Sequence, residues 1–251
     1  GGMLAERFGF EPVFLLSAIV LACLVPLPAL LLKGGSRHSQ ERTDEAGLTF
    51  AQVRGLLGDR QFLAFILLAI IPSSMLCVGF LDFFMPVYLQ TDGTAQSDIG
   101  RLYMLNCLLV VYLGPLFTRA LAGVRSMSVM VCAAGVLSGL TLLALGLLPP
   151  LPGSLAGSIL LGIATALNIP AQSEFLLKLD IARAIGVEQS MSLLDVLQRA
   201  GQVLGPLCAG LVLLHMSVGR AAFLGCALFV AISLLFLLLV RRRGGSQALR
   251  T

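Results

Sequence analysis

The sequence contains no tryptophan, three tyrosines and two histidines, and only 12% of its 251 residues are charged. Average soluble domains carry roughly 25% charged residues, so this chain cannot cover a water-facing surface with polar side chains. A soluble enzyme, a disordered tail and a disulfide-stapled secreted domain are excluded together. No Gly-x-x-x-x-Gly-Lys-Ser/Thr loop is present, so these residues do not hydrolyse a nucleotide. The histidines, His38 and His215, join no cysteine or acid cluster, and neither a metal nor a cofactor is expected. The six cysteines (Cys23, Cys77, Cys107, Cys132, Cys208 and Cys226) lie in apolar stretches with no CxxC pair. They read as small core or lipid-facing residues.

What the chain does have is 57% hydrophobic residues, 27 glycines and a mean hydropathy of +0.95. The gaps between charges give this its meaning. There are 21 uncharged residues between Glu11 and Lys33, 21 between Arg60 and Asp82, and 17 between Arg101 and Arg119. From Arg125 to Glu174 the chain runs 48 residues without a charge, interrupted by Pro149, Pro150 and Pro152. Gaps of 20 follow on either side of Arg220. A hydrocarbon slab about 30 Å thick needs about 20 helical residues, so six runs, one of them double, predict seven spans. They lack the two-residue alternation of a membrane barrel. The expected fold class is all-α, a polytopic transmembrane helical bundle, with spans near 12–32, 62–89, 99–118, 126–148, 153–174, 191–214 and 221–240.

The connections then alternate sides, and the basic residues fall unevenly between them. Lys33, Arg37, Arg42, Arg54, Arg60, Arg119, Arg125, Lys178, Arg183, Arg199, Arg241, Arg242, Arg243 and Arg250 share one side. Only Arg7, Arg101 and Arg220 occupy the other. Basic residues favour the cytoplasmic face, so the 33–61 loop and the C-terminus are expected inside and residue 1 outside. The net charge of +4 needs no nucleic acid to explain it. The first apolar run is too long for the core of a signal peptide and lacks a basic leader. Because the chain starts at Gly1, it is expected to be part of a longer protein.

Seven spans with an outer N-terminus invite comparison with retinal proteins and receptors. A retinal protein needs a lysine in the last span, and 221–240 has none. No DRY-type motif or outer-loop cysteine pair appears either. The residues Gly1-Gly2-Met3-Leu4-Ala5-Glu6-Arg7-Phe8-Gly9-Phe10-Glu11-Pro12-Val13-Phe14 instead resemble the passage from helix 5 into helix 6 of the major facilitator superfamily (MFS) of transporters. Met85-Pro86-Val87-Tyr88-Leu89 resembles the outer end of that family's helix 7. The stretch from Arg199 through Gly201, Gly205 and Pro206 to Gly210 resembles its helix 11. Gly114, Arg119, Gly123 and Arg125 are similar to its G-x-x-x-D-R-x-G-R turn, although Thr118 replaces the acid and the spacing is longer.

The resemblance implies residues 1–32 as helix 6 of the N-terminal half, 33–61 as the cytoplasmic linker, 62–240 as helices 7 to 12, and 241–251 as a cytoplasmic tail. Helices 1 to 5 of the N-terminal half would then be a missing partner. It also implies a non-enzymatic secondary transporter in a bacterial inner membrane. Such a protein would move a small organic or drug-like solute, with protons as the coupling ion, by rocking its halves about a central site. The Gly1-Gly2 pair resembles the end of an antiporter motif and favours efflux; uptake of sugars or metabolites is the near alternative. An MFS-like anchor or sensor module of a signalling protein is the rival from another class.

Polar residues at mid-depth are the candidates for the pathway, because they are costly there unless they face a cavity or a partner. Asp82 is either a proton-coupling carboxyl or an acid that water reaches at the outer interface. Pro86 cannot make the usual helical bond back to residue 82, so a kink could re-aim it. Asp195 and Arg199, four residues apart, form either a gate at the cytoplasmic mouth or a snorkelling pair that anchors the helix. Glu174, Lys178 and Asp180 read as ordinary charges at a helix end. Asn106, with Tyr103, and Asn168, with Thr165 and Gln172, could bind polar substrate groups or tie helices together. Pro170 makes a bent helix plausible beside Asn168. Gly201, Gly205 and Ala209 have the spacing of close helix packing, with hinge motion as a second role.

Overall fold

A computed structural model describes residues 6–26, 58–124, 126–179 and 186–248 of the chain. Seven helices are named here in chain order. They are α1 (Phe10–Leu24), α2 (Arg60–Thr91), α3 (Gln96–Leu121), α4 (Met127–Leu147), α5 (Pro150–Leu177), α6 (Val187–His215) and α7 (Val218–Ala248). Six of them, α2 to α7, are long and apolar enough to cross a membrane. Of the seventh expected span, 12–32, α1 covers the part up to Leu24, and residues 27–32 lie outside the described residues. Most of the expected linker, with Lys33, Arg37, Arg42 and Arg54, lies outside the described residues, as do Arg125, Asp180, Arg183 and Arg250.

α2, α3, α5 and α6 overrun their expected spans by one to four residues at either end, because polar and charged side chains there can reach the interface. Asp59 starts α2 by accepting a hydrogen bond from the Gln61 amide at 2.8 Å. At the other end, Gly93 takes φ +79° while the Thr94 amide bonds to Leu89 and the Gly93 amide to Gln90. This pair of reversed bonds satisfies the last carbonyls of α2, and glycine supplies the left-handed conformation that the turn requires. α5 begins with Pro150, whose missing N–H costs nothing in the first turn.

The six long helices pair in a regular scheme. α2 packs on α6, α3 on α5, and α4 on α7, with α4 also against α5 and α7 also against α2. Exchanging α2, α3 and α4 for α5, α6 and α7 maps every one of these pairs onto another. This is the pattern of two three-helix repeats related by a two-fold axis. The sequence carries a trace of it, since Leu-Gly-Pro-Leu occurs at 113–116 and again at 204–207. Pro115 stands 19 residues after the start of α3, and Pro206 stands 19 after the start of α6.

Two apolar clusters hold the bundle at its two ends. At the Arg60 end, Phe65 of α2, Phe175 of α5 and Phe236 of α7 meet with ring centroids 4.6 to 6.2 Å apart. At the Thr91 end, Phe80, Leu81, Met85 and Leu89 of α2 pack with Ile99, Leu102, Leu145 and Leu161. Between them α2 carries Pro72, Ser73 and Ser74, the stretch where the polar residues gather. α1 buries none of its residues, but Glu6 just before it accepts a 3.0 Å hydrogen bond from the Ser97 amide in the first turn of α3. A carboxylate suits that helix N-terminus, and the contact places both starts at the same end.

Candidate functional site

α2 is the irregular helix of the bundle. Over Ile66–Ile70 and again over Cys77–Phe84 it winds in wide turns whose amides reach five residues back. The Ile71 amide bonds to Ile66, and the Met85 amide bonds to Phe80. Each wide stretch ends one residue before the residue that precedes a proline, Pro72 in one case and Pro86 in the other. Proline has no N–H and its ring crowds the preceding turn, so a local change of register is the accommodation expected there.

This register changes which carbonyl loses its donor. In an ordinary α-helix Pro86 would strand the carbonyl of Asp82, which was the expectation from sequence. With bonds running five residues back, the stranded carbonyl is that of Leu81. Tyr103 of α3 supplies the missing donor, its hydroxyl bonding to Leu81 O at 2.6 Å. Tyr103 is thus committed to supporting the wide turn before Pro86.

Asp82 itself is exposed on the surface of α2 and has no hydrogen-bond or ion-pair partner among the described residues. Asn106 takes the structural option: it is 6% exposed and its Nδ2 donates to the Ser158 carbonyl of α5 at 3.0 Å. Asn168 is half-buried and lines a cavity of about 10 Å³ with Pro72, Ser73, Ser138 and Ser233, room for about one water. Asp195 and Arg199 are both exposed and form no ion pair with each other. The Arg199 guanidinium instead bonds to Gln202 at 3.2 Å. The only ion pair among the described residues joins Arg101 to Asp98 at 2.7 Å. Nor do the candidates converge on one place. Asp195 adjoins Leu194 in the cluster at the Arg60 end, whereas Asp82 adjoins Leu81 in the cluster at the Thr91 end.

A different polar group does converge. Gln172 of α5 is 1% exposed; its Nε2 donates to Ser73 Oγ at 2.9 Å and to the Ala69 carbonyl at 3.3 Å, and its Oε1 accepts from Gln198 Nε2 at 3.3 Å. Three helices, α2, α5 and α6, meet through one amide. Gln198 was hidden in the sequence between the more conspicuous Asp195 and Arg199. It falls on the same helical face as Gly201 and Gly205, and that i, i+3, i+7 spacing is the signal that could have found it.

The glycines of that face are pressed onto α2. A Cβ on Gly201 would stand 2.8 Å from the Ile71 carbonyl oxygen. One on Gly205 would overlap the Met75 carbonyl and lie 3.0 Å from the Gly79 amide nitrogen. Close packing is therefore what this spacing does here. The expected G-x-x-x-D-R-x-G-R turn is not a turn along most of its length. α3 continues to Leu121, so Gly114, Thr118 and Arg119 are helical, and Thr118 spends its hydroxyl on the Gly114 carbonyl at 2.9 Å. An apolar run of 17 residues plus a helical overhang leaves only a short connection before α4.

A family model, that of the Major Facilitator Superfamily, matches residues 1–187. The chain belongs to this superfamily. It is an integral, multi-pass membrane protein of a transporter family. No curated protein and no solved structure gives a significant match. The family match takes in α1 to α5 and the first residue of α6, so it covers Asp82, Asn106, Asn168 and Gln172 of this MFS protein but not Asp195, Gln198 or Arg199.

Proposed function

We propose that this MFS protein is a secondary active transporter of a small organic or drug-like solute, driven by proton exchange and working by alternating access. On this reading α1 belongs to helix 6 of a first half, and α2 to α7 are helices 7 to 12 of the second. Helices 1 to 5 are the partner across the substrate cavity. The basic side faces the cytoplasm of a bacterial cell, with the C-terminus inside. It is a carrier, so no catalytic residue, metal or cofactor takes part.

The observation that carries the reading is Asp82. A carboxyl on a membrane-spanning helix must find water, a cation or a hydrogen-bond partner. Asp82 has no hydrogen-bond or ion-pair partner among the described residues, and wide turns before Pro72 and Pro86 interrupt its helix. A water-filled cavity shared with another half supplies what the bundle withholds, and a carboxyl there can take up and release a proton as access alternates. Asp195 and Arg199, exposed and unpaired with each other at the far end, fit a mouth that forms contacts only when the halves close.

The test is Asp82→Asn in the full-length protein, reconstituted in vesicles with an imposed pH gradient. Proton-driven transport is expected to fall at least tenfold and to lose its pH dependence, while downhill exchange of solute continues. Full rate and unchanged pH dependence in the variant would remove Asp82 from coupling.

A further inference from the structure

Between α6 and α7 the bundle is open. The two helices are joined by a break at Met216 and Ser217 yet touch little along their length. The space left is a groove of about 440 Å³ whose floor is Leu76, Gly79 and Phe80 of α2 with Leu142 and Leu145 of α4. Small residues recess its walls, Ala209 on one side and Ala221, Ala222 and Gly225 on the other. No charged residue lines it. Leu224, Leu228 and Val212 line it and are 53%, 58% and 42% exposed, so the groove opens sideways on the surface of the bundle.

An apolar groove of this size does not hold ordered water, and leaving it empty would forfeit the dispersion contacts of its whole lining. At this depth in a membrane the surroundings supply hydrocarbon chains. A charge follows close on Val218, which lines the end of the groove. Arg220 stands one turn before Leu224 on the same face of α7 and is exposed, with no ion-pair partner among the described residues. Arg101, also assigned to that side, is already paired with Asp98. A guanidinium at the mouth of an apolar channel matches a phosphodiester with a chain below it, and arginine binds phosphate through two parallel hydrogen bonds.

We propose that the α6–α7 groove is a binding site for one phospholipid, an acyl chain lying along α2 and α4 and the phosphate held by Arg220. The site lies on the flank of the bundle and is separate from the transport pathway assigned to Asp82. On α6 the groove continues the face on which Gly201 and Gly205 press against α2, Gly205 itself lining its end, so an acyl chain there fills the gap where α6 and α2 diverge.

The absence of tryptophan from these 251 residues makes the test direct. Leu213→Trp places a reporter in the groove, and Phe223→Trp, on the exposed side of α7 outside the groove lining, reports the bulk bilayer. Each is made in the full-length protein, with the unsubstituted protein as background, and reconstituted with increasing fractions of phosphatidylglycerol brominated on its acyl chains. Quenching of Leu213→Trp is expected at fractions several-fold lower than those that quench Phe223→Trp. Brominated phosphatidylcholine is expected to show a smaller excess, and Arg220→Gln to erase the difference between the two lipids. Gly225→Leu, whose Cβ would lie 2.7 Å from Leu142 Cδ1, is expected to remove the excess quenching altogether. Identical curves for the two reporters, or a groove reporter that no brominated lipid reaches, would overturn the site; the second result would mean that protein, such as another copy of the chain, fills the groove. Excess quenching with a headgroup preference that survives Arg220→Gln would overturn the assignment of the phosphate to Arg220.

Discussion

The internal two-fold relates the seam between α2 and α6 to the seam between α3 and α5, and the two are built differently. In the first, glycine meets glycine: Gly201 and Gly205 of α6 lie on the backbone of α2 from Ile71 to Gly79, close enough that no Cβ fits at Gly205. In the second, Gly162 of α5 receives side chains of α3, with Leu109 and Asn106 within 3.0 to 3.3 Å of where its Cβ would stand, and Asn106 bonds across to Ser158. The repeated Leu-Gly-Pro-Leu makes the contrast sharp. Gly205 is clamped, whereas its counterpart Gly114 has nothing within 4 Å of a built Cβ. Gly114 opens instead on a cleft of about 460 Å³ with Pro115, Pro170 and Glu174. The same four residues thus serve as a backbone-to-backbone lock in one repeat and as an open wall in the other. Identity of sequence at a symmetric position does not carry identity of packing, because the facing helix differs. α2 presents Gly79 and a bent backbone, and α5 presents Ala166 and Ile169.

Substitutions along the two seams order themselves by this difference. Gly205→Ala has the largest expected effect, because a methyl group would have to displace the α2 backbone at Met75. Overpacking of this kind costs about 1–3 kcal/mol, or more where backbone must move. Thermal unfolding of the full-length protein in mild detergent, followed by size exclusion, is expected to show a clear fall in midpoint. A wild-type midpoint would mean that α6 can withdraw from α2 freely and that the lock does not exist.

Asn106→Leu on the other seam should cost less, about 0.6 kcal/mol and no more than about 1.7, the range measured for single hydrogen bonds between membrane helices. A loss as large as that of Gly205→Ala in the same assay would make the amide, rather than glycine packing, the stronger tie. Gly114→Ala is the smallest. It meets open space and replaces a poor helix former by a good one, so its stability should match or exceed the parent's by up to about 1 kcal/mol. A destabilised Gly114→Ala variant would mean that the cleft beside it is closed by another part of the protein, and that the two glycines are equivalent after all.

The helix boundaries were the most legible feature. Spans expected at 62–89, 126–148 and 191–214 correspond to Arg60–Thr91, Met127–Leu147 and Val187–His215, since a slab of hydrocarbon imposes its thickness directly on the spacing of charges. Of the first expected span, 12–32, the described residues show only the part up to residue 26, helical to Leu24. The candidate site was legible only in part. Asp82 stood out by its charge, and Gln172 by its place beside Asn168. Gln198 did not, because an uncharged amide between an acid and a base gives no signal until the face it shares with Gly201 is known. The role of Tyr103 was beyond reach, since it depends on α2 winding five residues per bond before Pro86.

By itself the sequence determined the class, seven expected spans of which six are met by long helices, and the resemblance to the major facilitator superfamily, because hydrophobic length and short motifs are linear properties of a chain. Only the tertiary structure decided which polar groups are spent and which are free. It spent Asn106 on Ser158, Tyr103 on Leu81 and Gln172 on three partners, and it left Asp82 without a hydrogen-bond or ion-pair partner among the described residues. Partners are set by which helix faces which, and that follows from packing across the bundle, where residues a hundred positions apart come within 3 Å of each other.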